Sequence, residues 1–586
     1  MDRRKFLEVA AALPLAAGSL KSFASGPKNE PAADAPQALA DAPAGGSSDT
    51  PHRDRYQLSL TRVLSGTQPE FTHDFLLADI KGTPGRRFTN FSGDLSGRWI
   101  GALAASSATF GATFPQLDKL VHDVIALQHP EGCFGSAFHL DNPNDDDLAL
   151  LWGNGRLLVG LLEFNGLHAD PAVLIAARRL GDFLVQIAPV FNSRKMAEAF
   201  GADHYASSYI CWTQQTEGLA ALFAATGDTR YRDLCAAIAS RIERRAGDHV
   251  HGYLCSVRGT LDLYTATADH RYLDAAVAAW RDVVGSGDIL ITGGVPERWS
   301  PKKLRTEGCA EADWLRLNLS LYRATGEAVY LDTAMNLYFN DFSMNQFASG
   351  DFGHAVLNEQ GTPEKVQVRA WWCCSLHGLR AFSDVHQSVF RVAGNDVHFE
   401  FPLDGAVSTE GFAARSVSRL ASDGTIEIQI TKARENQSFT VRKPVWGDVS
   451  VSHNGKAIAG VKIENVKAGD RIAARYTMQL RDVKAPGAAG TQAIVFGPWL
   501  LGAPSSNNPS YLSELQAENR ITAGSSMASK GASTGSFRVP IAATTVGYIP
   551  AEFPEQPGRV ELRAIAEQTA ESPTEWQMVF HSSPAG

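Results

Sequence analysis

The sequence predicts an α+β multidomain chain: a ring of helical hairpins followed by one or two antiparallel β-sandwich domains. Apolar residues recur every three or four positions from about residue 75 to 392, which is typical of packed helices. A helix-turn-helix unit repeats within that stretch. After about residue 395 the pattern changes to an alternation of apolar and polar residues, which predicts strands. A length of 586 residues favours two or three domains.

The first 55 residues predict an export signal and a linker. Arg3 and Arg4 precede Phe6-Leu7 and an apolar, Ala-rich run over 9–20, which indicates a twin-arginine signal over residues 1–25. We therefore expect a periplasmic or secreted protein. The run is too short to span a membrane as a helix, so no stable membrane insertion is expected after export. Residues 26–55 are rich in Ala, Pro, Asp and Ser, which is typical of a disordered linker.

Residues 56–395 are predicted to form the helical domain. Related segments at 219–228, 261–269 and 319–327 each end a helix at a short turn, and a second helix follows. Gly allows the left-handed end of the first helix, and Asp caps the start of the next. The copies lie at irregular distances along the chain. Such insertions favour a closed α/α toroid with functional loops at one end over a regular open solenoid.

Residues 396–586 are predicted to form the β-sandwich domain or domains. Segments 425–430, 439–442 and 449–452 alternate in polarity, and Asn454-Gly455 marks a hairpin turn. The formal net charge of −9 argues against a nucleic-acid partner, because proteins of that class usually present a basic face.

Two short segments carry candidate metal ligands. Glu307 and Cys309 lie in the first, and the adjacent Cys373 and Cys374 lie in the second. Three thiolates and one carboxylate suit Zn²⁺, which accepts sulfur ligands in tetrahedral geometry. The alternative interpretation is three buried cysteines and a solvent-exposed glutamate. The other four cysteines stand alone in apolar surroundings and are expected to be small buried side chains: Cys133, Cys211, Cys235 and Cys255.

The pairing of Glu-x-Cys with a distant Trp-Cys-Cys resembles glycoside hydrolase family 127, the β-L-arabinofuranosidase-like proteins. Segments 95–99, 291–295, 439–446, 466–470 and 495–499 resemble further motifs of that family in the same order. The resemblance implies an (α/α)6 barrel followed by β-sandwich domains. It also implies a zinc ion held by Glu307, Cys309, Cys373 and Cys374, with Cys373 as the nucleophile and a glutamate near the Gly-Gly loop as acid/base.

These implications predict a retaining exo-glycoside hydrolase that acts on β-L-arabinofuranosides or a related sugar of an oligosaccharide or glycoside. A retaining glycosidase needs a nucleophile on one side of the anomeric carbon and an acid on the other. Metal coordination would keep the thiol deprotonated. Glu297 is the acid/base candidate because Gly293-Gly294 shortly precedes it, with Glu311 and Asp313 as alternatives. Glu297 could also be a solvated loop charge.

The predicted substrate contacts follow from aromatic rings and from departures from the family pattern. Arg156 stands where the family has a histidine, and a second family histidine is replaced near Gln215, Glu217 or Arg258. These arginines could bind a carboxylate of an acidic sugar, or they could be ordinary surface residues. Trp372 could stack on a sugar face, and His377 could donate to a hydroxyl, although core packing and helix-end roles are common for both residue types.

Two other functions stay open on the sequence. The first is another carbohydrate-active toroid, either a polysaccharide lyase or an unsaturated-uronide hydrolase, which would need no cysteine cluster. The second is a non-catalytic glycan-binding protein with a structural zinc, since four protein ligands normally describe a closed structural site.

Overall fold

The structure is a computed structural model that describes residues 52–66, 71–81, 91–193, 208–299, 304–357, 363–485, 491–504, 506–508, 520–528, 544–549, 558–567 and 576–582. The predicted export signal and most of the predicted linker lie outside the described residues. The first described helix begins at His52, four residues before the predicted start of the helical domain. The described residues pack as one unit.

The helices precede almost all of the strands in the chain. In chain order they are α1 (His52–Leu64), α2 (His73–Lys81), α3 (Asp94–Phe110), α4 (Pro115–Ile125), α5 (Asp145–His168), α6 (Pro171–Phe191), α7 (Ser208–Thr213), α8 (Gln215–Thr226), α9 (Thr229–Ala239), α10 (Val250–Thr267), α11 (His270–Ser286), α12 (Gly308–Thr325), α13 (Ala328–Phe339), α14 (Asp341–Asn345) and α15 (Trp372–His386).

Six of these helices form a closed inner ring. Helix α3 packs on α5, α5 on α8, α8 on α10, α10 on α12, α12 on α15, and α15 returns to α3. Helices α4, α6, α9, α11 and α13 each lie between two inner helices in sequence and line the outside, with α1 packed against α15. The inner helices are buried on nearly all sides, as expected for helices covered by neighbours, and they carry buried polar residues among the apolar ones. The predicted (α/α)6 barrel is confirmed.

The turns between paired helices follow the predicted chemistry. Gly227 ends α8 in the left-handed conformation at φ 70°, which costs glycine little. Asp228 and Asp269 then cap α9 and α11 by accepting hydrogen bonds from the backbone N–H groups of Arg230 and Arg271.

Helices α3 and α5 approach each other unusually closely. An ideal Cβ on Gly97 would lie 2.5 Å from the Leu157 backbone, and one on Gly160 would lie 2.2 Å from the Gly97 carbonyl oxygen. Only glycine permits this contact, which fixes the start of α3 against α5. The start of α3 carries Asp94 and Arg98, so the same contact positions part of the candidate site.

The strands form three larger sheets after the barrel. They are β4 (Phe390–Ala393), β5 (Asp396–Phe399), β6 (Gly405–Ser408), β7 (Phe412–Arg419), β8 (Thr425–Ala433), β9 (Ser438–Val441), β10 (Gly447–His453), β11 (Lys456–Ala457), β12 (Lys462–Ile463), β13 (Arg471–Met478), β14 (Leu480–Lys484), β15 (Thr491–Phe496), β16 (Trp499–Pro504), β17 (Arg520–Ala528), β18 (Thr544–Ile549), β19 (Gly558–Ala564), β20 (Trp576–Gln577) and β21 (Phe580–Ser582).

The first two sheets share a core, as in a β-sandwich. Their strand orders are β11-β10-β13-β8-β7-β6 and β12-β9-β5-β4, and the ring of Phe412 in one stacks on Phe439 in the other at 6.2 Å. The third sheet has the order β14-β15-β21-β17-β18-β19-β16-β20. Pairing is antiparallel except between β5 and β9 and between β17 and β21. The predicted β-sandwich class is therefore confirmed.

A small three-stranded sheet lies within the barrel sequence. It consists of β1 (Leu304–Glu307), β2 (Gly353–Leu357) and β3 (Pro363–Ala370), paired antiparallel in that order. Strand β1 runs directly into α12, and β3 ends one residue before Trp371, which caps α15. The sheet therefore delivers two distant segments of the chain to neighbouring helix N-termini. Over the described ranges, no helix is long and apolar enough to cross a membrane.

Candidate active site

The four predicted metal ligands lie together. One ligand atom from each of Glu307, Cys309, Cys373 and Cys374 falls within 4.8 Å of the others. The Sγ atoms of Cys309 and Cys374 are 3.8 Å apart. The three-stranded sheet causes this convergence, because Glu307 pairs with His354 on β2 and Gly353 pairs with Ala370 on β3. The alternative of an exposed Glu307 does not hold, since its side chain is buried.

The ligands occupy the first turns of two inner helices. Glu307 is the N-cap of α12 and Cys309 follows in its first turn, while Cys373 and Cys374 begin α15. Helix N-termini stabilise negative charge through their free N–H groups and the helix dipole. Contacts from the Cys309 and Cys374 thiols lower the pKa of Cys373 well below its usual range. Burial raises the pKa of Cys309 and of Cys374, so Cys373 is the thiol of the three that ionises most readily. Three cysteines with a carboxylate are a donor set that fits Zn²⁺.

Two imidazoles surround Glu307. Nε2 of His249 lies 3.1 Å from Oε2 of Glu307, and Nε2 of His354 lies 3.9 Å from Oε1. Burial alone would raise the pKa of Glu307, but the imidazoles of His249, His354 and His251 together outweigh it and lower the pKa to about 2. The carboxylate is thus ionised and oriented, as metal ligands usually are through outer hydrogen bonds.

Arg98 links the cysteines to a buried histidine pair. Its Nη1 lies 3.7 Å from Sγ of Cys309 and 2.8 Å from Nδ1 of His377, and its Nη2 lies 2.9 Å from Nε2 of His251. Its Nε donates to Asp94 at 2.8 Å. Because a guanidinium has only donors, both imidazole nitrogens must accept. Arg98 therefore holds two neutral histidines and places a positive charge beside the thiolates.

Asp313 completes this network by contacting both histidines. It contacts Nδ1 of His251, and its Oδ1 lies 3.4 Å from Nε2 of His377. Cys255 donates its thiol to Oδ2 of Asp313 at 3.1 Å. His251, His377, Cys255 and Asp313 are close enough together to suggest a second cation site. Because the Arg98 guanidinium donates hydrogen bonds to both histidines, one nitrogen of each ring is already occupied. The cluster therefore fits a buried hydrogen-bonded network, here called the floor of the site, better than a metal site.

The predicted carboxylate-binding arginines are engaged inside the protein. Arg156 Nη1 lies 3.0 Å from Oε2 of Glu217, and Arg258 bridges Oε1 of Glu217 and Oδ1 of Asp313 at 2.7 Å each. Burial alone would raise the pKa of Glu217, but Arg258 and Arg156 outweigh it and lower the pKa to about 2. Together with Asp313, these side chains form a buried layer of two positive and two negative charges next to the Arg98 network.

A cleft of about 540 Å³, open to solvent on one side, leads to the cysteines. Its wall includes Cys373, Glu307, Arg98, Asp94, Asp79, His249, His251, Phe91, Leu95, Trp152, Trp371 and Trp372. Cys373 is the one cysteine of the seven that is not buried. Trp371 and Trp372 stack on each other at 5.4 Å along the cleft. His377, Arg156, Glu217 and Arg258 are not part of this wall.

Glu297 lies beside the ligands and is not part of the cleft wall described above. Nε2 of His354 is 3.9 Å from Oε1 of both Glu297 and Glu307. Arg305 donates to Oε1 of Glu297 at 2.8 Å and also contacts Oε2. Burial and the neighbouring Glu307 raise the pKa of Glu297. Of its alternatives, Glu311 is buried behind the Gly-Gly loop, where it accepts from the Val295 N–H at 3.1 Å, and Asp313 lies in the floor.

Sequence reasoning missed several residues of the site. Asp94, Arg98, His249 and His251 line the cleft, yet none was assigned a role. A signal was available for the two histidines, because His249-x-His251 stands at the start of an inner helix of the repeat. For Arg98 the only signal was its place in segment 95–99, which resembles a family motif, and Asp94 directly precedes that segment.

The comparisons with known proteins point to one family. The model of the β-L-arabinofuranosidase GH127 catalytic domain matches residues 77–387, more than half of the chain. A solved GH127 β-arabinofuranosidase is 16% identical, with 90% of this chain and 94% of that chain covered and a TM-score of 0.66. A GH127 β-L-arabinofuranosidase from Geobacillus stearothermophilus T6 is 13% identical, with 92% and 100% covered and a TM-score of 0.66. A comparison with curated protein sequences gave no match.

Proposed function

Because the chain belongs to the GH127 β-L-arabinofuranosidase family and is therefore a glycoside hydrolase, we propose that it cleaves terminal β-L-arabinofuranosides with retention, using Cys373 as the nucleophile. The proposal includes Zn²⁺ held by Glu307, Cys309, Cys373 and Cys374. Bound Zn²⁺ would keep the thiols ionised at neutral pH.

The observation that carries this proposal is the unequal exposure of the ligands. Glu307, Cys309 and Cys374 are buried, whereas Cys373 is half-buried and lines the cleft. A purely structural site gains nothing from exposing one thiolate to a cleft with aromatic walls. A thiolate in that position is available to attack a sugar bound there.

The proposed reaction has two displacement steps, and both use only side chains of this chain and water. In the first, the Cys373 thiolate forms a bond to the anomeric carbon, the bond to the leaving oxygen breaks, and Glu297 gives that oxygen its proton. In the second, Glu297 takes a proton from water, the water oxygen bonds to the anomeric carbon, and the thioether bond breaks. Two displacements on one carbon preserve its configuration. The raised pKa of Glu297 supports its role as an acid.

The same geometry supports particular substrate contacts. Trp372, with Trp371 stacked on it, presents an aromatic surface along the cleft, which suits the apolar face of a sugar. We propose a supporting role for His377, Arg156, Glu217 and Arg258, because their polar groups are engaged with one another and with Asp313. This favours a neutral sugar over the acidic sugar that the arginines suggested.

The test combines metal content with hydrolysis. We expect about one zinc per chain and hydrolysis of 4-nitrophenyl β-L-arabinofuranoside, with a loss of roughly 10³-fold or more in kcat for Cys373→Ser. Cys235→Ser is the matched control, since Cys235 is a fully buried thiol in outer helix α9. It should leave zinc content and kcat unchanged.

Other outcomes distinguish the alternatives. Zinc without hydrolysis of any glycoside would contradict the nucleophile role and favour a structural metal. Full activity of Cys373→Ser would favour a toroid enzyme of another reaction class. Anomeric configuration, followed by NMR during hydrolysis, checks retention.

Export is a separate part of the proposal. Arg3-Arg4 and the apolar run after them support secretion through the twin-arginine pathway into the periplasm or beyond. Replacing both arginines by lysine should leave the protein in the cytoplasm, which cell fractionation would show.

A further inference from the structure

Three carboxylates line the described cleft, and two of them have evident tasks. Oδ2 of Asp79 accepts from the backbone N–H groups of Gly93, Leu95 and Ser96, so it caps the start of α3. Glu307 belongs to the candidate metal ligands. The third carboxylate, Asp94, accepts from Arg98 and Trp152, but with only one of its two oxygens.

The two donors that hold Asp94 both use the same oxygen. Oδ1 accepts from Arg98 Nε at 2.8 Å and from Trp152 Nε1 at 3.0 Å. Among the described residues, no donor is found for Oδ2. The side chain is 14% exposed, whereas its partner Arg98 is 3% exposed. Oδ2 is thus left as an acceptor at the cleft surface.

Keeping a carboxylate at this position is costly unless it is compensated or used. Burial raises the pKa of Asp94, and the nearby Cys373 thiolate raises it further, while Arg98 opposes both effects. Asp94 also begins α3, where the helix dipole favours an anion. A second acidic group close to an anionic nucleophile serves no packing purpose. It is instead suited to accept a hydrogen bond from a substrate hydroxyl.

We propose that Asp94 is a sugar-binding residue, with Oδ2 accepting a hydrogen bond from a ring hydroxyl of the sugar and Arg98 and Trp152 acting as positioning residues. This inference rests on the proposed function, since it places the sugar beside Cys373. A carboxylate bonded to a hydroxyl next to the reacting carbon contributes more as positive charge develops in the transition state.

Asp94→Asn tests this assignment with little change in shape. The amide oxygen can still accept from Arg98 and Trp152, but the cleft-facing atom becomes a donor. We expect kcat/KM for 4-nitrophenyl β-L-arabinofuranoside to fall roughly 10- to 150-fold, as for loss of a hydrogen bond to a charged group. Against one of the 2-, 3- or 5-deoxy analogues, the loss should shrink to less than about 5-fold, because the bonded hydroxyl is already absent.

Asp332→Asn is the matched control. Asp332 pairs with Arg442 at 2.7 Å, and the two side chains are 13% and 12% exposed, away from the cleft. It should show wild-type kinetics on every analogue. If Asp94→Asn does not fold, Trp152→Phe removes one of the two donors that hold Oδ1 and should give the same analogue pattern with a smaller loss. Equal losses on the parent and on all three deoxy analogues would overturn the assignment.

Measurements of sugar binding test the role of Asp94 independently of the proposed hydrolysis by Cys373. Calorimetry with methyl β-L-arabinofuranoside measures sugar binding in the Cys373→Ser protein, where hydrolysis is not required. Weaker binding on adding Asp94→Asn would support the role of Asp94 even if the wild type hydrolyses nothing. Unchanged binding would overturn it even if hydrolysis by Cys373 is established.

Discussion

Glu297 and Arg305 form an ion pair beside Glu307, and the role of that pair can be tested with leaving groups of different basicity. A general acid matters most when the leaving oxygen is strongly basic. We therefore expect Glu297→Gln to lower kcat/KM for an alkyl arabinofuranoside by roughly 10²-fold or more, and for a 2,4-dinitrophenyl arabinofuranoside by less than about 10-fold.

The control for this experiment is Glu163→Gln. Glu163 also pairs with an arginine, Arg380, at 2.8 Å, but this pair joins α5 to α15 and includes no neighbour of Glu307. It should leave both substrates unaffected. A loss that is equal on the two substrates would remove Glu297 as the acid and return attention to Glu311.

His386, at the last turn of α15, predicts a dependence of stability on pH. Burial lowers its pKa from 6.5 to about 4, and its ring stacks on His52, whose pKa is also lowered by burial. Below pH 6.5, His386 in the unfolded chain therefore binds a proton, whereas His386 in the folded chain stays neutral until the pH falls to about 4. Stability from this group is complete above pH 6.5 and is lost as pH falls toward 4.

Denaturant unfolding at pH 7.5 and pH 5 measures this effect. His386 should account for about 2 kcal/mol of the loss between these values. His386→Phe keeps the aromatic contacts and should reduce the loss by that amount, with His52 causing part of what remains. An unchanged loss in the variant would show that His386 is not the group responsible.

At the scale of single residues, the sequence predicted which four residues cluster at the candidate metal site better than it predicted the residues around them. Glu307, Cys309, Cys373 and Cys374 were identifiable because their chemical types are rare in such pairs. Arg98 was not, since an arginine on a helix is usually exposed. Its contacts include one local acceptor, Asp94, four residues earlier in α3, and two from distant helices, His251 and His377, which no local pattern records.

At the scale of elements, the contact between α3 and α5 depends on glycine. Gly97→Ala would place a Cβ 2.5 Å from the Leu157 backbone, so the two helices must separate. We expect a loss of about 2 kcal/mol or more in the free energy of unfolding and a lower kcat, because Asp94 and Arg98 move with α3.

Gly166→Ala is the matched control for Gly97→Ala. Gly166 is also a helical glycine, near the end of α5, but nothing lies within 4 Å of its ideal Cβ. Alanine there should be neutral or stabilise the protein by up to about 1 kcal/mol. Thermal unfolding of the two variants decides the matter. Equal effects would show that the close approach does not limit stability.

The three-stranded sheet is the element that the sequence did not reveal. Strand β1 has four residues and β2 has five, and both lie within a stretch of sequence whose apolar residues follow the helical spacing. Short strands inside a helical pattern give little periodic signal. The sheet nevertheless decides the site, since it joins Glu307 to the segment before Cys373.

At the scale of the whole molecule, ring closure could be predicted but the position of the metal site within it could not. The irregular repeat indicated a closed toroid because insertions disrupt an open stack. Which inner helices become neighbours at the closure depends on contacts between the first and last helices, here α3 and α15. Arg98 on α3 meets Cys309 of α12 and His377 of α15 at that junction.

The position of the candidate metal site at the closure of the ring leads to a prediction about stability. Because the proposed zinc ligands come from α12 and α15, metal binding should stabilise the closed ring as well as the site. Removing zinc with a chelator is expected to lower Tm by roughly 5 °C or more, and adding Zn²⁺ back should restore it. Reaction with a thiol reagent gives a second readout, because Cys373 is the one cysteine that is not buried.

In the zinc-free protein, one thiol should react quickly with the reagent and the other six slowly. In the zinc-loaded protein all seven thiols should react slowly, because a coordinated thiolate is a weaker nucleophile. Cys373→Ser should abolish the fast reaction, and Cys235→Ser should not. If the chelator changes neither Tm nor the fast reaction, the four ligands do not hold a metal that supports the ring. The exposure of Cys373 would then have to be explained by its reactivity as a free thiolate at the N-terminus of α15.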